Sequence, residues 1–94
     1  MGRKLRLTNR YKSALEKWGP QGGSEAARRL SATLRSLASG TLPGPFDYEV
    51  MTPPVGRYWC RRVPNANLWV FYKHDDAEVK IITLQRTPPI PIVD

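Results

Sequence analysis

A chain of 94 residues, 40% of them hydrophobic, can build one domain with a modest core and has nothing left over for a second. Its 15 Lys and Arg against 8 Asp and Glu give a net charge of +7 and a pI near 10.1, a balance that draws in nucleic acid or an acidic protein rather than a small apolar ligand. One cysteine, Cys60, excludes an internal disulfide, and no apolar run approaches the ~20 residues that span a bilayer, so a cytoplasmic protein without membrane attachment is expected.

Residues 3–7 alternate basic and apolar, which suits a short edge strand with Leu5 and Leu7 inward. Thr8 or Asn9 can cap a first helix whose apolar positions, Tyr11, Ala14, Leu15 and Trp18, fall at i, i+3, i+4 and i+7. Gly19-Pro20 ends it. Ser24 caps a second helix, with Glu25 well placed in its first turn. Ala27, Leu30, Leu34 and Leu37 make the apolar stripe, while Arg28, Arg29 and Arg35 lie off it. Gly40 stops that helix. Four prolines and three glycines between residues 40 and 56 make a loop, with a short extended piece around Tyr48 to Met51. From Arg57 onward, RYWCRRV, LWVFYK and VKIITLQR read as three strands. The turns Pro64-Asn65-Ala66-Asn67 and His74-Asp75-Asp76 join them into an antiparallel meander. Ile82, Leu84 and Arg86 share one face of the last strand, and the pattern assigns that face to neither side. Pro88, Pro89 and Pro91 bar regular structure from the tail, residues 88–94. The expectation is one α+β domain over residues 1–94, with an N-terminal strand and a two-helix hairpin packed on a small meander.

That order resembles the RelE/ParE toxin superfamily of bacterial toxin–antitoxin systems. The residues that carry the likeness are Leu5-x-Leu7-Thr8, then Tyr11-x-x-Ala14-Leu15-x-x-Trp18, and after the second helix RYWCRRVPNANLWVFYKHDDAEVKIITLQR (residues 57–86). The family's basic strand, short turn, apolar strand ending in tyrosine (here Tyr72), polar turn and third apolar strand all have counterparts. The resemblance implies a basic type II toxin neutralised by an acidic antitoxin. In the RelE branch the activity is endoribonuclease cleavage of messenger RNA on the ribosome; in the ParE branch it is poisoning of DNA gyrase. Arg61 matches one of the family's basic residues, Trp59 and Trp69 stand where other members carry Lys and Arg, and Arg86 lies near the family's arginine after the last strand. The proline-rich tail replaces the family's C-terminal helix or tyrosine-bearing segment.

Cleaving RNA through its 2′-hydroxyl needs a base, an acid, and cations on the phosphate. Arginine suits the last task because its planar fork meets two oxygens at once. The resemblance makes Arg61 the phosphate clamp, assisted by Arg86, Lys73 and Arg57. His74, the one imidazole, would serve as acid or base with Asp75 beside it. If the family's register holds, Leu68, Val70 and Tyr72 pack under the helices. Trp59, Arg61, Trp69, Phe71 and Lys73 then share the other face as a basic-aromatic platform on which Trp59 and Trp69 stack bases. Packed core, or a bed for an antitoxin segment, is the competing reading of those rings. Arg62 is expected to pair with Glu78 or Asp76. No glycine-rich phosphate loop, nucleophile elbow or Cys/His spacing is present, so neither metal nor cofactor is expected. A non-catalytic binding module is the remaining alternative.

Overall fold

The computed structural model describes residues 2–45, 47–52 and 56–86; the expected Pro-rich tail lies outside them. Seven elements follow one another: β1 (Lys4–Leu7), α1 (Asn9–Trp18), α2 (Glu25–Ser39), β2 (Tyr48–Thr52), β3 (Gly56–Val63), β4 (Leu68–His74) and β5 (Glu78–Gln85). The fold is α+β, as the alternation of periods implies. The strands form a five-stranded sheet in the order β1-β5-β4-β3-β2. Strands β2 to β5 are antiparallel, and β1 adds in parallel beside β5, with Leu5 opposite Val79.

Local chemistry starts and stops both helices. Thr8 caps α1 by accepting from the Tyr11 amide at 3.1 Å. The same hydroxyl reaches the carbonyls of Ile81 and Ile82 at 2.7 and 3.0 Å, which ties the helix start to β5. Ser24 caps α2 through the Ala27 amide at 3.1 Å. The β3–β4 turn carries Asn65 and Asn67 at positive φ, where asparagine is tolerated better than most residues.

One face of the sheet packs under the helices. Tyr11, Leu30, Leu37, Val63, Leu68, Val70, Tyr72, Val79, Ile81 and Leu84 are buried there, with Leu5, Leu34 and Trp59 packed against them. A smaller apolar cluster of Val50, Cys60, Trp69 and Phe71 occupies the opposite face, flanked by Tyr58 and Ile82. Central β4 is therefore buried on both sides, which is why its sequence reads as a continuous apolar run.

Three expectations change. Leu7, expected inward with Leu5, is exposed. The α1 stripe is only half used: Tyr11 is buried and Ala14 partly so, but Leu15 and Trp18 stay exposed at 38% and 43%. Thr8 anchors the first turn over β5, and the stripe emerges from the core beyond Ala14. In β5, Phe71 pairs with Thr83 while Tyr72 pairs with Ile81, so Ile82 is an extra, bulged residue. The bulge breaks strict alternation. Ile82 joins the Phe71 cluster and Leu84 enters the helix-side core, although both fall on one face of an ideal strand.

Candidate functional site

The strand register decides which candidates meet. In the β3–β4 pair, Trp59 lies opposite Tyr72 and Arg61 opposite Val70, whereas Cys60 faces Phe71 and Arg62 faces Trp69. Directly paired residues share a face. Trp59 and Arg61 therefore lie on the helix side, and Trp69, Phe71 and Lys73 on the other. The expected platform of Trp59, Arg61, Trp69, Phe71 and Lys73 does not exist. Once Leu68, Val70 and Tyr72 turn inward, antiparallel pairing forces Trp59 and Arg61 inward with them.

On the helix side, Arg61 is bound into a polar niche. Its Nε donates to Asp47 Oδ1 at 2.7 Å, its Nη2 to Oδ2 at 2.9 Å, and its Nη1 to Ser36 Oγ at 3.2 Å. Asp47 Oδ2 also accepts from the Gly44 amide at 2.7 Å and from the Tyr72 hydroxyl. The Asp47 side chain is 1% exposed and that of Arg61 18%. Burial by itself would raise the Asp47 carboxyl, but the Arg61, Tyr72 and Gly44 hydrogen bonds outweigh it and hold the group below its ordinary value. Burial likewise opposes the Arg61 charge, and Asp47 more than restores it. Burial first, and the Asp47 hydrogen bond second, push the Tyr72 hydroxyl up. A cavity of about 400 Å³ opens beside the niche, bordered by Ser36, Thr41, Gly44 and Arg61. The sequence pattern offered no sign of Asp47 or Ser36 as partners; an acid flanked by aromatics in a Pro/Gly loop was the only available hint.

Of the other candidates, only His74 adjoins a member of this niche. Arg57, also on the helix side, is exposed and paired with Glu49 at 2.8 Å. His74 ends β4 on that side, its ring 6.1 Å from that of Tyr72. Asp75 does not orient it: the Asp75 carboxylate accepts from the Ala77 and Glu78 amides, both at 2.8 Å, and so closes the β4–β5 turn. Those two bonds hold the exposed Asp75 carboxyl below its ordinary value. Arg86 lies at the far end of the sheet, on a separate cavity of about 310 Å³ with Trp18, Gln21, Ser24 and Leu68. Lys73 lies on the opposite face in register with Lys80. Lys73 and Arg86 thus lie on surfaces apart from Arg61, while His74 shares the helix side with it.

The stacking roles change as well. Trp59 is half-buried against the main core, and Trp69 is 8% exposed with the Arg62 guanidinium 5.6 Å from its ring centre. Arg62 therefore lies over Trp69 rather than pairing with Glu78 or Asp76; Glu78 meets Arg6 at 3.7 Å instead. Burial, aided by the charge of Asp47, raises the Cys60 thiol to about 12, which leaves it unreactive.

The face away from the helices gathers cations. Alternation places Lys4, Arg6, Arg62, Lys73 and Lys80 there, against the single carboxylate of Glu78 among the described strand residues. On the helix side, by contrast, the β3 arginines Arg57 and Arg61 each hold a carboxylate. Among the described residues no three His, Cys, Asp or Glu side chains come together as metal ligands, and no helix is long and apolar enough to cross a membrane. No protein-family model matches the sequence, and no curated protein matches it.

Proposed function

We propose that this chain is the toxin of a type II toxin–antitoxin pair of the RelE/ParE kind, acting on messenger RNA in the ribosome and held in check by an acidic antitoxin. The observation that carries the reading is the division of charge across the sheet. A strand, a helix hairpin and a meander in the expected order present one face whose cations outnumber its carboxylates five to one among the described strand residues. Such a face attracts a polyanion and speeds its arrival. In this reading Lys73 and its neighbours hold phosphate, and His74, at the β4 end, is the acid or base.

A second reading, in which the chain binds and poisons DNA gyrase or is a binding module without catalysis, is favoured by a different observation. Three of the five N–H donors of Arg61 are committed to Asp47 and Ser36, and Lys73 and Arg86 stand on other surfaces. Expression of the chain without a partner separates these readings when growth, primer extension on a reporter message and plasmid supercoiling are followed together. Arrest with discrete cuts inside translated codons is the expected result. Arrest with intact messages and altered supercoiling would replace the nuclease by the gyrase reading, and undisturbed growth would remove the toxin reading altogether.

A further inference from the structure

The described chain ends at Arg86, just past β5, and Arg86 borders the cavity of about 310 Å³ that Trp18, Gly19, Pro20 and Ser24 also line. Trp18 is exposed, and so is Leu15 three residues earlier on α1. The two belong to one ledge: a Cβ added at Gly19, on the cavity wall, would meet Leu15 Cδ1 at 2.7 Å. An amphipathic helix ordinarily buries its apolar stripe against a neighbour, yet the described residues leave this half of the α1 stripe largely uncovered. The helix is also basic. Arg10, Lys12 and Lys17 are exposed on it against Glu16 alone, and Lys17 Nζ lies 5.2 Å from the centre of the Trp18 ring.

We infer that residues 87–94 of this chain fold back onto the ledge of Trp18 and Leu15 as an extended strap. The segment, Thr-Pro-Pro-Ile-Pro-Ile-Val-Asp, is apolar from Pro88 to Val93 and carries one carboxylate, Asp94, with no cation. It cannot lengthen β5, because Pro88, Pro89 and Pro91 have no N–H to give to a ladder. Prolines favour instead an extended left-handed helix without internal hydrogen bonds, a form that docks on aromatic rings. Length suits the ledge. Residues 87–94 reach about 25 Å in that form, whereas the whole of α1 is about 15 Å long. The start is already in place, because Arg86 shares its cavity with Trp18. Pro88 and Pro89 then meet the Trp18 ring, and Ile90 and Ile92 come within reach of Leu15. Asp94 matches the charge of the basic helix. Tethering lets weak contacts suffice, since a short flexible connection holds the segment at an effective concentration of about millimolar. The strap requires no toxin activity and stands apart from that reading.

Carbon–proton spectra of the full chain, labelled at the isoleucine δ-methyls, test the strap, since Ile81, Ile82, Ile90 and Ile92 are the only isoleucines. The Ile90 and Ile92 methyls should lie away from their free-chain shifts and show Overhauser contacts to the Trp18 ring or the Leu15 methyls. Trp18→Ser, and independently Leu15→Ser, should return both methyls to free-chain shifts, while the dispersed Ile81 signal from the core reports that the fold persists. Pro88→Gly with Pro89→Gly, which loosens the segment, should lower the ratio of docked to free strap roughly fivefold. Free-chain shifts for both methyls in the parent, unmoved by either serine variant, would overturn the strap. Contacts that fade on dilution, or that arise between labelled and unlabelled chains in a mixture, would overturn the fold-back and assign the ledge to the tail of a second copy.

Discussion

The two faces of one sheet treat positive charge in opposite ways. Beneath the helices, Arg57 meets Glu49 and Arg61 is held at both ends of its fork by Asp47, whose remaining lone pairs go to Gly44 and Tyr72. On the far face, Arg6, Lys80 and Lys73 stand in register with one another. The physical reason is desolvation. A cation near the core must carry its own counter-charge, because an uncompensated buried ion is strongly destabilising. A cation whose charged head reaches solvent is screened, and like charges can neighbour one another at smaller cost. Close pairing of charge is thus a requirement where an ion is buried, as at Asp47 and Arg61.

The severest way to break the contrast is to remove the carboxylate that makes the helix side neutral. Asp47→Ala should cost about 2–4 kcal/mol in urea unfolding, because it strands the largely buried Arg61 charge and leaves the Gly44 amide and Tyr72 hydroxyl without an acceptor. The double variant Asp47→Leu with Arg61→Met should recover much of that loss, since a buried pair is replaced more easily than halved. An Asp47→Ala stability equal to that of the parent would erase the distinction between the faces.

Acid should act on the same niche. The Asp47 carboxyl titrates in the folded chain below its ordinary value of 3.8. Its contribution is then complete above that value and is lost as the pH falls from it towards the lower, folded-state value. Asp75, also lowered, adds to the same window. Thermal midpoints measured below about pH 4 should therefore fall more steeply for the parent than for Asp47→Ala; parallel curves would show that Asp47 is not responsible.

Gly44→Ala probes the niche sterically. A Cβ there would come within 2.4 Å of Arg61 Nη2 and 3.3 Å of Asp47 Oδ2, so the fork must shift. About 1–3 kcal/mol should be lost, and little of that should remain once Arg61 is already Met. At the small end, Arg57→Gln should cost no more than about 0.5 kcal/mol, since its pair with Glu49 is exposed. A loss that size should vanish at high salt, whereas the Asp47 effect should persist.

Much of the framework was legible because each helix carries its own punctuation. Thr8 and Ser24 caps, the stops after Trp18 and Ser39, and the turn at Pro64–Asn67 are local signals, and the structure uses them as written. The half-exposed α1 stripe was not legible, because periodicity tells which residues share a helix face but not how far the partner surface extends beneath it. The β5 bulge was not legible either, since alternation alone puts Ile82 and Leu84 together and only pairing with β4 separates them. The site was harder still. Arg61 was singled out by the resemblance, but its face follows from the register with Val70, and its partner Asp47 is 14 residues away across a loop.

The parallel pairing of β1 with β5 has a consequence for how the chain is made. Leu5 finds its strand neighbour at Val79, so β1 leaves a ribosome well before β5 and waits for it before its backbone is paired. Long-range closure of this kind slows folding, and no shorter nascent piece can complete the sheet. A nascent chain halted before residue 78 has neither edge nor lid in place: β1 has nothing to lie beside, and the Thr8 anchor of α1 lacks the Ile81 and Ile82 carbonyls. Synthesis of the fold is therefore all or nothing, and a premature stop anywhere upstream yields an unassembled fragment rather than a weakened protein.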